Sequence, residues 1–186
     1  TITEEITSWD SYLVEEVVLS IVDIAKDKNI EIIFNTEEEE IITAIDEEKI
    51  VRVILILLSN SIKFSKEKGD ICVEMRREDE EVVIKVTDNG IGINEDMKEK
   101  IFDKFKRVQS VSNLNVDHEG SGLGLYIAKG FIELHNGSIS VVSEVEKGST
   151  FIITIPIVII KNDLHNINHM DEDELNRIIK IELSDL

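Results

Sequence analysis

Residues 51–65 read VRVILILLSNSIKFS, and the reading of this stretch decides the fold. Only Arg52 interrupts the apolar run from Val51 to Leu58, so the segment is expected to be a buried helix. Asn60 and Lys63 then stand out near its end. At 3.6 residues per turn, positions 56, 60, 63 and 64 share one face, while Ile50, Val53, Ile54, Leu57 and Ser61 point elsewhere, toward a core. An Asn carbonyl is a suitable hard oxygen ligand for Mg²⁺, and a Lys one turn on reaches phosphate oxygens. Taken alone, the plainer account is an Asn satisfied by a backbone partner and a Lys that snorkels to water.

Upstream of this helix, Asp46 is placed to cap it, with Glu47 and Glu48 suiting its positive end. Farther back, IEIIF (30–34) and IITAI (41–45) have strand character around an acidic turn. Before them, Leu13, Val17, Val18, Ile21, Ile24 and Ala25 mark an amphipathic helix from Tyr12 to Lys28. Downstream, DICVEM (70–75) and EVVIKVT (81–87) form a β-hairpin in which Val82, Ile84 and Val86 share a face. NEDMKEKIF (94–102) is a short helix, residues 108–121 a polar mobile loop, and residues 122–137 a helix that Gly137 ends. SISVVSE (138–144) and STFIITIPIVII (149–160) are strands joined at Gly148. The order predicts an α/β (α+β) two-layer sandwich, a mixed and mostly antiparallel sheet with helices on one face.

Composition narrows the function. The 186 residues suffice for one domain with a core, and 42% hydrophobic with 32% charged residues is an ordinary globular profile. A net charge of −19 argues against a nucleic-acid or anionic-membrane binder. The acidic runs 37–40, 78–81 and 171–174 are expected to be solvated loops or turns. Against this background Lys98, Lys100, Lys104, Lys106 and Arg107 cluster, which leaves room for an anionic small ligand. The single cysteine, Cys72, excludes an internal disulfide and suits a reducing compartment. No apolar run has the length of a membrane span, and no signal peptide is evident. Because the chain starts at Thr1 and enters helical sequence at once, it is expected to be a cytoplasmic piece of a longer polypeptide whose missing part holds any sensor or membrane anchor.

Three further motifs bear on chemistry. DNGIGI (88–93) follows a strand directly. Asp-Asn-Gly is an ordinary turn signal, but Asp88 is also placed to accept a hydrogen bond from an exocyclic amine, and Gly90 and Gly92 let backbone approach a planar ligand. GSGLGL (120–125) precedes a helix, where backbone N–H groups form an anion site. It is neither a P-loop nor a dinucleotide fingerprint. In IFDKFKRV (101–108), Phe102 and Phe105 are expected to anchor the segment to the core, while Lys104, Lys106 and Arg107 are solvated or reach phosphates when the loop closes.

In this order and spacing the chain resembles, over roughly residues 10–156, the ATP-binding catalytic domain of bacterial sensor histidine kinases, within the GHKL superfamily and its Bergerat-type ATP-binding fold. DEEKIVRVILILLSNSIKFS resembles the N box, DNGIGI the G1 box, IFDKFKRV the F box, and GSGLGLYIAKGFIELHNG with the closing strands the G2 box. The resemblance implies Mg²⁺ held at Asn60 and phosphate contacts from Lys63, these two being the catalytic candidates. It implies Asp88 on the adenine amine with Thr150 beside it, and Phe64 and Ile93 lining the base pocket with Gly90 and Gly92. Arg107, Gly120, Gly122, Leu123, Gly124 and Leu125 would complete the phosphate side, with residues 108–121 as an ATP lid. Residues 11–156 would be the ATP-binding domain, 1–10 the end of an upstream helix or linker, and 157–186 an extension. The implied partners are ATP, a phosphoacceptor and dimerisation domain, a response regulator and a second copy of the parent chain.

Two departures qualify this. The family has a polar residue, usually Asn, where this chain has Ile56, which offers neither ligand oxygen nor proton relay. The expectation is a modest loss of ATP binding and a larger loss of turnover, with a degenerate nucleotide-binding module as the alternative. A GHKL ATPase or serine kinase would want Glu at position 56. Moreover, none of His118, His135, His165 and His169 lies in a phosphoacceptor motif such as H-E-[LIF]-R-T-P, so the acceptor is expected outside this chain. His118 falls in the lid, His135 suits a helix C-terminus as a cation, and His165 with His169 lie in a surface linker. In the tail, IVII is expected to prolong the last strand and residues 162–174 to be loose, while Ile179, Ile181 and Leu183 alternate as in a strand.

Overall fold

The computed structural model describes residues 9–37, 40–41, 43–66, 68–106, 122–158, 170–184 and 186. Its elements run β1 (Trp9–Asp10), α1 (Ser11–Asp27), β2 (Glu31–Thr36), β3 (Glu40–Ile41), α2 (Glu47–Phe64), β4 (Asp70–Glu78) and β5 (Glu81–Asp88). Two 3₁₀ turns follow (Glu95–Met97 and Lys100–Phe102), then α3 (Gly124–Leu134), β6 (Ser138–Glu144), β7 (Gly148–Pro156) and α4 (Glu172–Glu182). The five-stranded sheet has the order β2-β4-β5-β7-β6, parallel between β2 and β4 and antiparallel elsewhere. Period-2 alternation puts Ile71, Val73, Met75, Val82, Ile84 and Val86 on one face. That face forms a single core with the buried sides of the helices. This is the expected mixed α/β sandwich.

α2 is the helix the opening stretch predicts. Asp46 caps it, its side chain accepting from the Lys49 N–H at 3.1 Å, and Val53 to Ser59 are buried without a break. His135, at the C-cap of α3, ties that helix to α2. Its Nε2 accepts from the Asp46 N–H at 2.9 Å while Nδ1 lies 2.7 Å from the Phe131 carbonyl. A carbonyl cannot donate and an amide N–H cannot accept, so the ring is the neutral Nδ1–H tautomer. The expected cation at a helix end is therefore replaced by a neutral bridge.

Several local expectations need correction. Among its described residues, IITAI contributes only Ile41 to a strand, in a two-residue ladder with β1. Thr43 and Ala44 instead hold the chain leaving β7. The Val158 N–H donates to Thr43 Oγ1 at 2.9 Å and the Ala44 N–H to the Val158 carbonyl at 3.1 Å. The segment 94–102 forms two 3₁₀ turns rather than one helix. α3 starts at Gly124, because Gly122 has φ +69° and cannot continue a right-handed helix. Its end is a Schellman turn with Asn136, not Gly137, in the left-handed position (φ 55°). Gly137 is required for a different reason, since a Cβ there would meet the Thr154 carbonyl at 2.3 Å.

β7 ends at Pro156 and does not extend through Ile157 and Val158; residues 159–160 lie outside the described set. The tail forms a helix, not a strand. Asp171 caps α4 by accepting from the Glu174 N–H at 2.8 Å, so the acidic run 171–174 is a helix start and not a loose loop. Leu175 and Ile178 are buried one turn apart, and Leu183 is buried at the C-cap. The alternation of Ile179, Ile181 and Leu183 misleads because Ile181 is exposed. α4 is clamped to α2 by Arg52, which bonds Glu182 at 2.8 Å and Glu48 at 2.9 Å, and by Glu47, which accepts from the Met170 N–H at 2.7 Å.

Candidate functional site

Three pieces of chain meet beyond the end of β5: the last turns of α2, the loop 88–93, and the β6–β7 turn. Asp88 closes β5 and is 7% exposed. Its Oδ1 accepts from the Gly90 N–H at 2.9 Å and the Ser149 N–H at 3.3 Å. Burial pushes this carboxyl above the ordinary carboxylate range, and the backbone donors of Gly90 and Ser149 only partly offset it. The Ser61 hydroxyl, from α2, lies near enough to favour the ionised form, yet it makes no hydrogen bond of normal geometry.

The two glycines of the loop are demanded by backbone packing. The Ile91 N–H donates to the Phe64 carbonyl at 3.1 Å, and a Cβ on Gly90 would lie 2.3 Å from that same oxygen. Gly92 has φ +70°, and a Cβ there would lie 2.0 Å from the Glu144 carbonyl. The loop is thereby drawn tight between the C-terminus of α2 and the β6–β7 turn. Ile93 is buried, and its N–H donates to Ser143 Oγ at 2.8 Å.

On the other side, α2 faces the start of α3. The Ile56 Cγ2 sits 3.2 Å from where a Gly124 Cβ would be, and Ile56 is 6% exposed. Ile56 is thus core packing against Gly124. Asn60 and Lys63, on the same helix face and both half-buried, follow one and two turns later. The first turn of α3 has no side-chain cap, and its earliest backbone bond runs from the Ile127 N–H to the Leu123 carbonyl at 2.9 Å. The N–H groups of Gly124, Leu125 and Tyr126 precede that bond, and among the described residues no backbone acceptor is recorded for them, as suits an anion at a helix start. Leu123 and Leu125 are half-buried, Leu125 against the core.

The segment 101–106 divides. Phe102 anchors it, edge-on to Phe151 with ring centroids 6.5 Å apart. Phe105 does not: it is 72% exposed, with φ 61°. Its N–H donates to the Gly122 carbonyl at 3.1 Å, joining this segment to the glycine-rich turn. Lys104 and Lys106 are exposed, and Lys104 Nζ stands 4.7 Å from the Tyr126 ring centroid. Arg107, Gly120, His118, His165 and His169 lie outside the described residues.

Thr150 is not beside Asp88. It pairs with Thr87, the two hydroxyl oxygens 3.1 Å apart, on the opposite face of the sheet. The residue across from Asp88 is Ser149. Ser61, Ser143 and Ser149 are the site residues that sequence reasoning missed. Nothing local distinguishes them from surface serines; only strand register and helix packing do.

Among the described residues no cluster of three acidic, His or Cys side chains could hold a metal. The donor chemistry, one carboxamide at Asn60 beside Lys63 and the N–H groups at the start of α3, fits Mg²⁺ that arrives with a polyphosphate rather than one held by a protein cage.

Residues 45–159 match the family described as histidine kinase-, DNA gyrase B-, and HSP90-like ATPase. The sensor histidine kinase WalK of Bacillus subtilis (strain 168) is 35% identical over 136 residues, covering 72% of this chain and 22% of WalK. The catalytic domain of histidine kinase ThkA superposes with TM-score 0.68 at 30% identity, covering 82% of this chain and 96% of that one. ThkA solved in complex with the response regulator TrrA gives TM-score 0.67 at 27% identity, over 82% of this chain and 42% of that one. The chain spans 10% to 24% of the length of the first curated relatives it matches.

Proposed function

The chain belongs to the family of histidine kinase-, DNA gyrase B- and HSP90-like ATPases, and from that membership we propose that residues 11–156 bind Mg²⁺–ATP and deliver its γ-phosphate to a histidine on a dimerisation domain outside this chain. The observation that carries the reading is Asp88: a buried carboxyl at a strand end, fixed by backbone donors and flanked by turns that only glycine permits. Such a group accepts the exocyclic amine of adenine. Phe64 and Ile93 line the base, and Gly90 and Gly92 keep the loop low enough for it to enter. Lys63, Gly122, Leu123 and the backbone N–H groups of Gly124 and Leu125 meet the phosphates, joined by Arg107 and Gly120. Thr150 serves through its strand, on the far face from Asp88. Asn60 holds Mg²⁺, which supplies charge neutralisation on the transferring phosphoryl group. Ile56 leaves the walls of the pocket in place by packing on Gly124.

The phosphoacceptor domain, a response-regulator receiver domain and a second copy of the parent chain are the proposed partners. None of the described helices is long and apolar enough to cross a membrane, and we place this domain in the cytoplasm. The test supplies the parent's upstream helical hairpin with labelled ATP. An acid-labile phosphohistidine is expected; transfer to another residue type, or none, overturns the reading.

A further inference from the structure

Ser143, the penultimate residue of β6, makes three hydrogen bonds through one oxygen. It accepts from the Ile93 N–H at 2.8 Å, donates to the Gly148 carbonyl at 2.7 Å, and lies 3.0 Å from Ser149 Oγ. A hydroxyl has one proton and two acceptor positions. Its proton is committed to Gly148, since a carbonyl only accepts. One lone pair is committed to Ile93, since an amide N–H only donates. Toward Ser149 it has only a lone pair left, so the Ser149 hydroxyl must be the donor. Ser149 then presents no proton of its own, only acceptor lone pairs. Both serines are buried, at 9% and 7% exposure, so water does not offer an alternative arrangement.

Ser149 stands directly across from Asp88 on the same face of the sheet and bonds it through its backbone N–H. The surroundings of Asp88 therefore hold two side-chain acceptors, the carboxylate itself, toward which the Ser61 hydroxyl is turned, and the Ser149 hydroxyl oxygen, whose proton is turned away. We propose that Ser143 is a positioning residue for base specificity: by capturing the Ser149 proton it makes the pocket favour an amine over a carbonyl, and so adenine over guanine nucleotides. The inference rests on the reading that Asp88 faces the base. A carbonyl at that position meets lone pairs and stays unpaired, which is how a hydrogen-bonding site rejects an analogue.

Calorimetric titration of the 186-residue chain with Mg²⁺–ATP and with Mg²⁺–GTP tests this. Ser143→Ala frees the Ser149 proton to turn toward a guanine carbonyl, and the ratio of ATP to GTP affinity is expected to fall by about fivefold or more, the worth of one hydrogen bond. Loss of structure alone would weaken both nucleotides and leave the ratio in place. Ser143→Thr, which keeps the hydroxyl, is expected to rescue the ratio. A folded Ser143→Ala with the ratio of the unaltered chain overturns the proposal while leaving nucleotide binding intact. Should Ser143→Ala fail to fold, Ser149→Ala decides: a lowered ratio supports the proposal and an unchanged one overturns it. An unaltered chain that binds no Mg²⁺–ATP overturns the nucleotide reading and this inference together.

Discussion

At the scale of single residues, the role proposed for Asp88 is set against stability. Its carboxyl titrates above the ordinary range because it is buried. The folded chain therefore holds this proton more tightly than the unfolded one. The resulting stability is present at acid pH and is lost as pH rises through the raised value. Above that value the ionised group costs the fold something. Asp88→Asn, which keeps an acceptor for the Gly90 N–H, is thus expected to melt no lower than the unaltered chain at pH 7 while losing nucleotide binding. Thermal melts and calorimetry on one sample check both; unchanged affinity would show that the base pocket lies elsewhere. The same sign predicts that Mg²⁺–ATP affinity weakens as pH falls through the raised Asp88 value. A titration series at stepped pH reads it, and a flat profile would contradict the amine contact.

Gly92 is a second residue-scale case. Its φ of +70° and the Glu144 carbonyl, 2.0 Å from the site of a Cβ, both exclude a side chain. Gly92→Ala is expected to destabilise the fold by more than about 2 kcal/mol, combining left-handed strain with displacement of the β6–β7 turn. Urea denaturation measures it. In the sequence the glycines suggest close approach of a ligand. The structure adds that they are fixed first by backbone meeting backbone.

At the scale of elements, α4 is the part that lies beyond the family match at residue 159. Glu48 and Arg52 bond to each other, Arg52 also to Glu182 of α4, and Glu47 to the Met170 N–H just before α4; on the helical wheel the three bracket Val51 and Leu55, both fully buried. This explains why α2 is apolar on nearly every side: it packs on the sheet with one face and under α4 with another. Ending the chain after Val158 should therefore expose an apolar stripe on α2. The expected result is a lower melting temperature and new binding of a hydrophobic dye, because each buried Leu or Ile on α4 contributes about 1.5–3 kcal/mol before ordering entropy is subtracted. An unchanged melt would mean α4 rests on the domain without supporting it. The capping signal for this helix was present in the sequence, in the acidic run 171–174, but the same residues also suit a solvated loop. Only burial of Leu175 and Ile178 separates the two.

At the scale of the whole molecule, the proposed nucleotide site draws on α2, β5, the β6–β7 turn and the start of α3, so ligand binding should stabilise the fold as a unit. With Mg²⁺–ATP at a hundred times its dissociation constant, the gain is about 2.7 kcal/mol. It should appear as one shifted transition in a thermal melt; a shift with GTP but not ATP would reverse the base assignment.

The sequence by itself determined what local sterics and periodicity control: the buried helix and its Asp46 cap, the β4–β5 hairpin, the glycine turns, and hence the sandwich and its family resemblance. The tertiary structure alone decided which groups face one another. It put Ser149 rather than Thr150 across from Asp88, because a one-residue step along a strand reverses the face. It set the His135 tautomer through a bond to Asp46 and turned the tail into a helix that covers α2. Those outcomes depend on contacts between residues far apart in the chain, and neither spacing nor composition encodes the register in which such residues meet.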